Sequence, residues 1–113
     1  MKTDRTNGIV ITGAAKWDPE NVDRLEHRVS EIAGQYGHTE PHIRVTLEHD
    51  QHGHRFGASL HFTARRRTLH AYASGTSEEQ VITRIDRRLS ALLDRERQRH
   101  LHTHHHFEPG VRA

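Results

Sequence analysis

The amino-acid sequence predicts an α+β fold, a four-stranded mixed sheet with two helices on one face, in the order β-α-β-β-β-α. Two observations predict it. First, the apolar residues recur with a helical period in two segments and with a period of two in three others, and turn residues separate these segments. Second, only 32% of the 113 residues are hydrophobic and 28% are charged, so the core must be thin. A sheet covered on one face suits such a core and leaves the other face free to bind a partner.

The first strand and the first helix are predicted from residues 8–37. GIVITG, residues 8–13, is a β-branched run closed by glycine. Asp18 is a good N-cap, Pro19 suits the first helical position, and the helix should end near Gly34 to Gly37. Its apolar residues are Val22, Leu25, Val29, Ile32 and Ala33. A helix between two strands makes the first strand parallel to a neighbour, most simply the second strand.

Three further strands form a predicted antiparallel meander. HIRVTLEHD (42–50), RFGASLHFT (55–63) and TLHAYASG (68–75) each alternate apolar and polar residues, and the turns DQHGH and ARRR separate them. The residues expected to face the core are Ile43, Val45, Leu47, Phe56, Ala58, Leu60, Phe62, Leu69, Ala71 and Ala73. By the same alternation, His70 and Tyr72 point to the face that no helix covers.

A long second helix is predicted after the last strand. Thr76 and Glu79 fit a capping box at its start. The core face consists of Val81, Ile82, Ile85, Leu89, Leu92 and Leu93, extended by the aliphatic part of Glu96. At about 100° per residue, one border of that face is a stripe of arginines, Arg84, Arg88, Arg95 and Arg99. We expect a domain of residues 1–100 and a His-rich flexible tail of residues 101–113, which has no sustained period and contains a Pro-Gly break.

Composition narrows the classes of function. The absence of cysteine excludes disulfides, thiolate chemistry and cysteine-based zinc sites. No apolar run approaches the roughly 20 residues of a membrane helix, and MKTDRTNG lacks the apolar stretch of a signal peptide, so we expect a cytoplasmic protein without a membrane partner. Glycine-rich phosphate loops, nucleophile elbows and HExxH motifs are missing, which predicts no enzyme, no small-molecule substrate and no cofactor. A monomer is expected.

The second helix is the main candidate for RNA binding. Residues 84–100 contain six arginines against three acids, an excess of three positive charges. Arginine grips phosphate bidentately and stacks on bases. We therefore predict RNA contacts from Arg84, Arg87, Arg88, Arg95, Arg97 and Arg99, from Arg65, Arg66 and Arg67 in the basic turn, and from His70 and Tyr72. The alternative is a solvated helix face whose arginines pair with Asp86, Asp94 and Glu96.

Several motifs occur together in a familiar order. ITG (11–13) ends the first strand, and LHAYASG (69–75) has the pattern I/L-H-A-x-A-x-G. The helix follows without a gap, with Ile82, Arg88, Leu89, Leu93, Arg95 and Arg97 at matching isoleucine, Lys-Leu, leucine and basic positions. From Ile9 to about Arg99 the chain resembles the ribosome hibernation-promoting factors, also described as ribosome-associated inhibitors or sigma modulation proteins. It looks like a short form, and it departs from the family at Thr83 and Arg87, where aspartates are common.

The resemblance implies a cytoplasmic protein that docks on the small ribosomal subunit and its rRNA near the decoding centre. There it would block mRNA and tRNA and so idle ribosomes under stress. The residues themselves leave two alternatives open. A sheet backed by two helices also suits a general double-stranded RNA-binding module. The thirteen histidines, with HLHTHHH at 100–106 and His49, His52, His54 and His61 near the first hairpin, also suit a metal-binding protein, although no defined metal site is predicted.

Overall fold

The computed structural model describes residues 8–37, 42–64 and 67–106, with the backbone alone for residue 64 and residues 100–106. Its elements are β1 (Ile9–Thr12), a 3-10 turn (Ala14–Lys16), α1 (Pro19–Gln35), β2 (His42–Asp50), β3 (Arg55–Ala64), β4 (Arg67–Gly75) and α2 (Glu78–His106). The strands lie in the order β1-β2-β3-β4, with β1 parallel to β2 and the other neighbours antiparallel. The predicted α+β fold is confirmed.

A single hydrophobic core lies between the sheet and the two helices. Every strand and both helices contribute fully buried side chains, among them Ile9, Leu25, Ile32, Leu47, Leu60, Phe62, Ile85, Leu89 and Leu93. The period-two and helical patterns therefore identified the core faces correctly. Phe56 and Leu92, also expected to face the core, are only partly buried and pack at its margin.

Trp17 is a core residue that the periodicity did not reveal. Its side chain is 4% exposed, and its indole N–H donates to the carbonyl oxygen of Glu48 over 3.1 Å. Its ring meets the ring of Phe56 edge-on, with centroids 6.1 Å apart. The available signal was its position directly before the N-cap Asp18, where an apolar side chain commonly fixes the angle at which the chain enters a helix.

The N-terminal cap was predicted correctly for α1 and incorrectly for α2. At α1, the Asp18 side chain accepts from the Glu20 N–H over 2.9 Å, as expected of an N-cap. At α2, the expected Thr76–Glu79 capping box is wrong by one residue. Ser77 precedes the first helical residue and accepts from the Gln80 N–H over 3.1 Å, while the Gln80 side chain reaches back to the Thr76 N–H over 2.8 Å.

Ser77→Ala tests this corrected cap. Removing the hydroxyl leaves the Gln80 N–H without its acceptor, and we expect the free energy of unfolding to fall by about 1 kcal/mol in a urea titration. Ser90→Ala, in the interior of α2, is the matched control and should cost nothing measurable, because alanine is a good helix former. Equal effects of the two substitutions would show that Ser77 does not cap the helix.

Helix α2 is longer than the apolar pattern indicated. It continues past the predicted boundary at His100 and ends at His106. Among the described side chains of α2, Leu93 is the last buried one, so packing periodicity gives no information on the helical turns beyond it. The division into a domain of residues 1–100 and a tail of residues 101–113 stays a prediction, and residues 107–113 lie outside the described residues.

Candidate nucleic-acid interface

Helix α2 lies over β4, which is an edge strand of the sheet. Two of its arginines reach the backbone of that strand. Arg84 Nη1 donates to the carbonyl oxygen of Ser74 over 2.6 Å, and Arg88 Nη1 donates to the carbonyl oxygen of Tyr72 over 2.5 Å. Carbonyls along an edge strand otherwise lack partners. Both guanidinium groups remain exposed, and each has five N–H donors. Each can therefore donate to a carbonyl oxygen of the strand and still present donors to a ligand.

Arg95 and Arg99 continue this row toward the C-terminal half of α2. At about 100° per residue, all four arginines lie within about 60° of one another around the helix axis. We call this row the basic edge: Arg84, Arg88, Arg95 and Arg99. All four are exposed, and none forms an ion pair with another residue of the described ranges. The basic edge therefore presents four guanidinium charges that the described part of the protein does not neutralise.

Two acids of α2 have partners outside this helix. Arg28 of α1 donates to both carboxylate oxygens of Asp86, over 2.5 and 3.4 Å, and also to Glu31 over 2.8 Å. The hydrogen bond to Asp86 raises the pKa of the Arg28 guanidinium most, and the hydrogen bond to Glu31 raises it further. Glu96 lies 3.6 Å from Arg67 of β4. The sequence-based alternative, in which these acids neutralise the arginines of their own helix, does not describe Asp86 or Glu96.

The remaining predicted contact residues lie in several places. Arg87 is exposed on α2 outside the basic edge, and the Arg97 guanidinium carbon lies 4.6 Å from the centre of the Tyr36 ring, at the end of α1. Arg67 pairs with Glu96, as above. His70 and Tyr72 are exposed on the face of the sheet opposite the helices, as the alternation predicted.

The other two arginines of the basic turn, Arg65 and Arg66, lie outside the described residues. The structure thus groups four of the predicted arginines into one row and separates Arg87 and Arg97 from it. Sequence reasoning missed the role of Arg28, which removes Asp86 from competition for the arginines of α2. The available signal was its place on α1 beside the core stripe, but only the packing of α1 against α2 brings the pair together.

The histidines near the first hairpin do not form one cluster. The His49 ring stacks on Phe56 with centroids 4.1 Å apart, whereas the His61 ring lies against His70 with centroids 4.5 Å apart. Within residues 8–37, 42–64 and 67–99, no group of three or more histidines and acids is arranged to hold a metal ion. In the described part of α2, as in α1, no segment has the length and hydropathy needed to cross a bilayer.

In comparison with known proteins, no protein-family model matches the chain, and no curated protein does. The resemblance to the hibernation factors therefore stays a prediction.

The Arg28–Asp86 pair gives a prediction about the junction of the two helices. Its side chains are 39% and 28% exposed, so solvent screens the interaction and a coupling energy of about 0.5 to 1 kcal/mol is expected. A double-mutant cycle with Arg28→Ala and Asp86→Ala, followed by urea unfolding, measures it. Arg87→Ala and Asp94→Ala form the control cycle and should show no coupling. A coupling near zero for the first cycle would show that this pair does not stabilise the packing of α1 against α2.

Proposed function

We propose that this protein is a ribosome-associated translation inhibitor that binds the small ribosomal subunit near the decoding centre and blocks mRNA and tRNA there. In this proposal it acts in the cytoplasm as a monomer, and its ligand is folded rRNA. The observation that supports it best is the basic edge, four exposed arginines on one side of a long helix without ion-pair partners in the described part of the chain.

The dimensions of the basic edge suit a polyphosphate backbone. Arg84 and Arg99 are fifteen residues apart, which at 1.5 Å per residue is about 22 Å. A rigid row of that length spans several phosphates of one RNA strand. Guanidinium groups bind phosphate in bidentate geometry, and two of these four are already oriented by their bonds to β4 carbonyls. Orientation before binding lowers the entropy lost on association.

The LHAYASG motif, which is the most specific part of the resemblance, has a structural role that supports the proposal. Ala71 and Ala73 are buried on the helix side of β4, and their small side chains let α2 approach the strand closely. Gly75 lies against the Gln80 side chain, where a Cβ would come within 2.4 Å of Oε1. Small residues at this point of β4 are compatible with a close approach of α2, from which Arg84 and Arg88 reach the carbonyls of the strand.

Sedimentation through sucrose gradients tests the proposal against its alternatives. We expect the protein to migrate with purified small subunits at low salt. Four phosphate contacts predict a slope of log affinity against log salt of about −2.8 to −3.6, so affinity should fall by about 50- to 150-fold between 50 and 200 mM salt. Preference for free duplex RNA would favour the general double-stranded RNA-binding module. Tight, stoichiometric zinc binding by calorimetry without subunit binding would favour the metal-binding protein.

A further inference from the structure

The face of the sheet opposite the helices carries a row of cationic and aromatic side chains. The strand registers place Val10 beside Arg44, Arg44 opposite His61 and His61 opposite His70. Tyr72 follows in the next row of β4. We call these five residues the open face. All five are exposed, and Val10 and Tyr72, at 44% and 43%, are the large hydrophobic side chains most exposed in the described part of the chain.

The rings of the open face have defined positions. The His61 and His70 rings are tilted 36° to each other with centroids 4.5 Å apart, and Ser59 Oγ lies 3.0 Å from His70 Nε2. A Cβ at Gly57 would come 3.1 Å from the Tyr72 hydroxyl and 3.4 Å from Glu48 Oε1, so the Tyr72 ring leans across this glycine with the Glu48 carboxylate next to its hydroxyl. An aromatic surface that is ordered in this way loses little conformational freedom when a ligand stacks on it.

The charge of the open face is concentrated at one end. The Arg44 side chain forms no hydrogen bond or ion pair within the described residues. It lines a shallow concavity of about 540 Å³ together with His42 and His61, and no carboxylate of the described part lines that concavity. The next acid along β2, Glu48, is about 13 Å from Arg44 at about 3.3 Å per residue, but its carboxylate lies across Gly57 from the Tyr72 hydroxyl, at the other end of the open face. An anion beside Arg44 would therefore meet little repulsion.

We propose that the open face binds single-stranded RNA, with a phosphate at Arg44 and bases stacked on the His61–His70 pair and on Tyr72. This inference rests on the proposed function, because it assumes that RNA is the partner, but it uses a surface separate from the basic edge. Arg44 and His70 lie two strands apart, about 10 Å, so that a phosphate and a nearby base of one strand can meet them together. Bases within a duplex are already stacked and offer no free ring face.

Fluorescence anisotropy with a labelled single-stranded uridine decamer tests the inference on the full chain. Arg44→Gln should weaken binding and reduce the salt slope by about 0.7, the share of one phosphate contact on a single strand. Tyr72→Ala should weaken binding at least about fivefold and leave the salt slope unchanged, because stacking involves no counterion release. Arg24→Gln, which removes the same charge from α1, should bind as the wild type does.

Arg44→Lys shows whether the effect of Arg44→Gln comes from the lost charge or from a disturbed fold. Because lysine keeps the charge, this variant should keep the salt slope of the wild type. Wild-type affinity in both Arg44→Gln and Tyr72→Ala, or no binding of the decamer by the wild type, would overturn the inference. Equal displacement of the decamer by inorganic phosphate or by duplex RNA would overturn it too. If the decamer binds as described while small subunits do not bind, the proposed function fails and the open face stands.

Discussion

Arg95→Gln combined with Arg99→Gln is expected to weaken binding to small ribosomal subunits by about 100-fold or more, as two charge-assisted hydrogen bonds to phosphate, of about 1.5 kcal/mol or more each, are lost. The salt slope should fall by about 1.4 to 1.8 at the same time. These two arginines are the better choice for the test because Arg84 and Arg88 also bond to carbonyls of β4. Their replacement would mix a loss of binding with a loss of stability.

The matched control for this prediction is Lys16→Gln combined with Arg24→Gln. It removes the same charge from exposed positions in the 3-10 turn and on α1. Affinity for small subunits, measured by filter binding at three salt concentrations, should change less than about threefold in the control, which loses only the long-range attraction. Equal losses in both double variants would mean that net charge alone drives binding, and the basic edge would have no special role.

Gly13→Ala is expected to lower the free energy of unfolding by about 2 to 4 kcal/mol, which combines a strained backbone conformation with a steric clash. Gly13 has a φ of 83°, in the left-handed region. A Cβ there would come 2.5 Å from the carbonyl oxygen of Leu47, a backbone atom in the middle of β2 that cannot move without disturbing the sheet.

Gly37→Ala is the matched control for Gly13→Ala. Gly37 has a similar φ of 86°, but beyond its chain neighbours no atom of the described residues lies within 4 Å of a Cβ built on it. Gly37→Ala should therefore show only the cost of holding alanine in a left-handed backbone conformation, a loss of about 1 kcal/mol in the free energy of unfolding measured by urea titration. Equal destabilisation by the two substitutions would contradict the close approach of β1 and β2 at Gly13. That approach is our physical account of why a glycine ends the ITG motif.

Much of this fold could be predicted because one-dimensional patterns determine which face each residue occupies. Alternation placed Leu60 inside and Tyr72 outside, and helical spacing placed Leu89 inside and Arg88 at the border. Trp17 was not predicted as a core residue because a single residue in a connection between two elements shows no periodicity. The cap of α2 was placed one residue early because Thr76 and Ser77 are adjacent residues that both fit an N-cap, and only the backbone bonds distinguish them.

The candidate site could be predicted as a set of residues but not as a set of contacts. The row from Arg84 to Arg99 follows from helix geometry within one element. The bonds from Arg88 to β4 and from Arg28 to Asp86 depend on how two elements pack, as does the contact of Arg97 with Tyr36. The row of the open face depends on strand register, which alternation alone does not specify.

Site-specific photocrosslinking tests the central claim, that the basic edge contacts small-subunit rRNA. Ala91 is exposed on α2 between Arg88 and Arg95, and Ala15 is exposed in the 3-10 turn that follows β1. A photoreactive residue at each position, irradiated in the presence of small subunits, reports which surface meets RNA. We predict crosslinks to rRNA from position 91 and none from position 15. Crosslinks from position 15 alone, or from neither position while the protein still sediments with the subunit, would contradict the account.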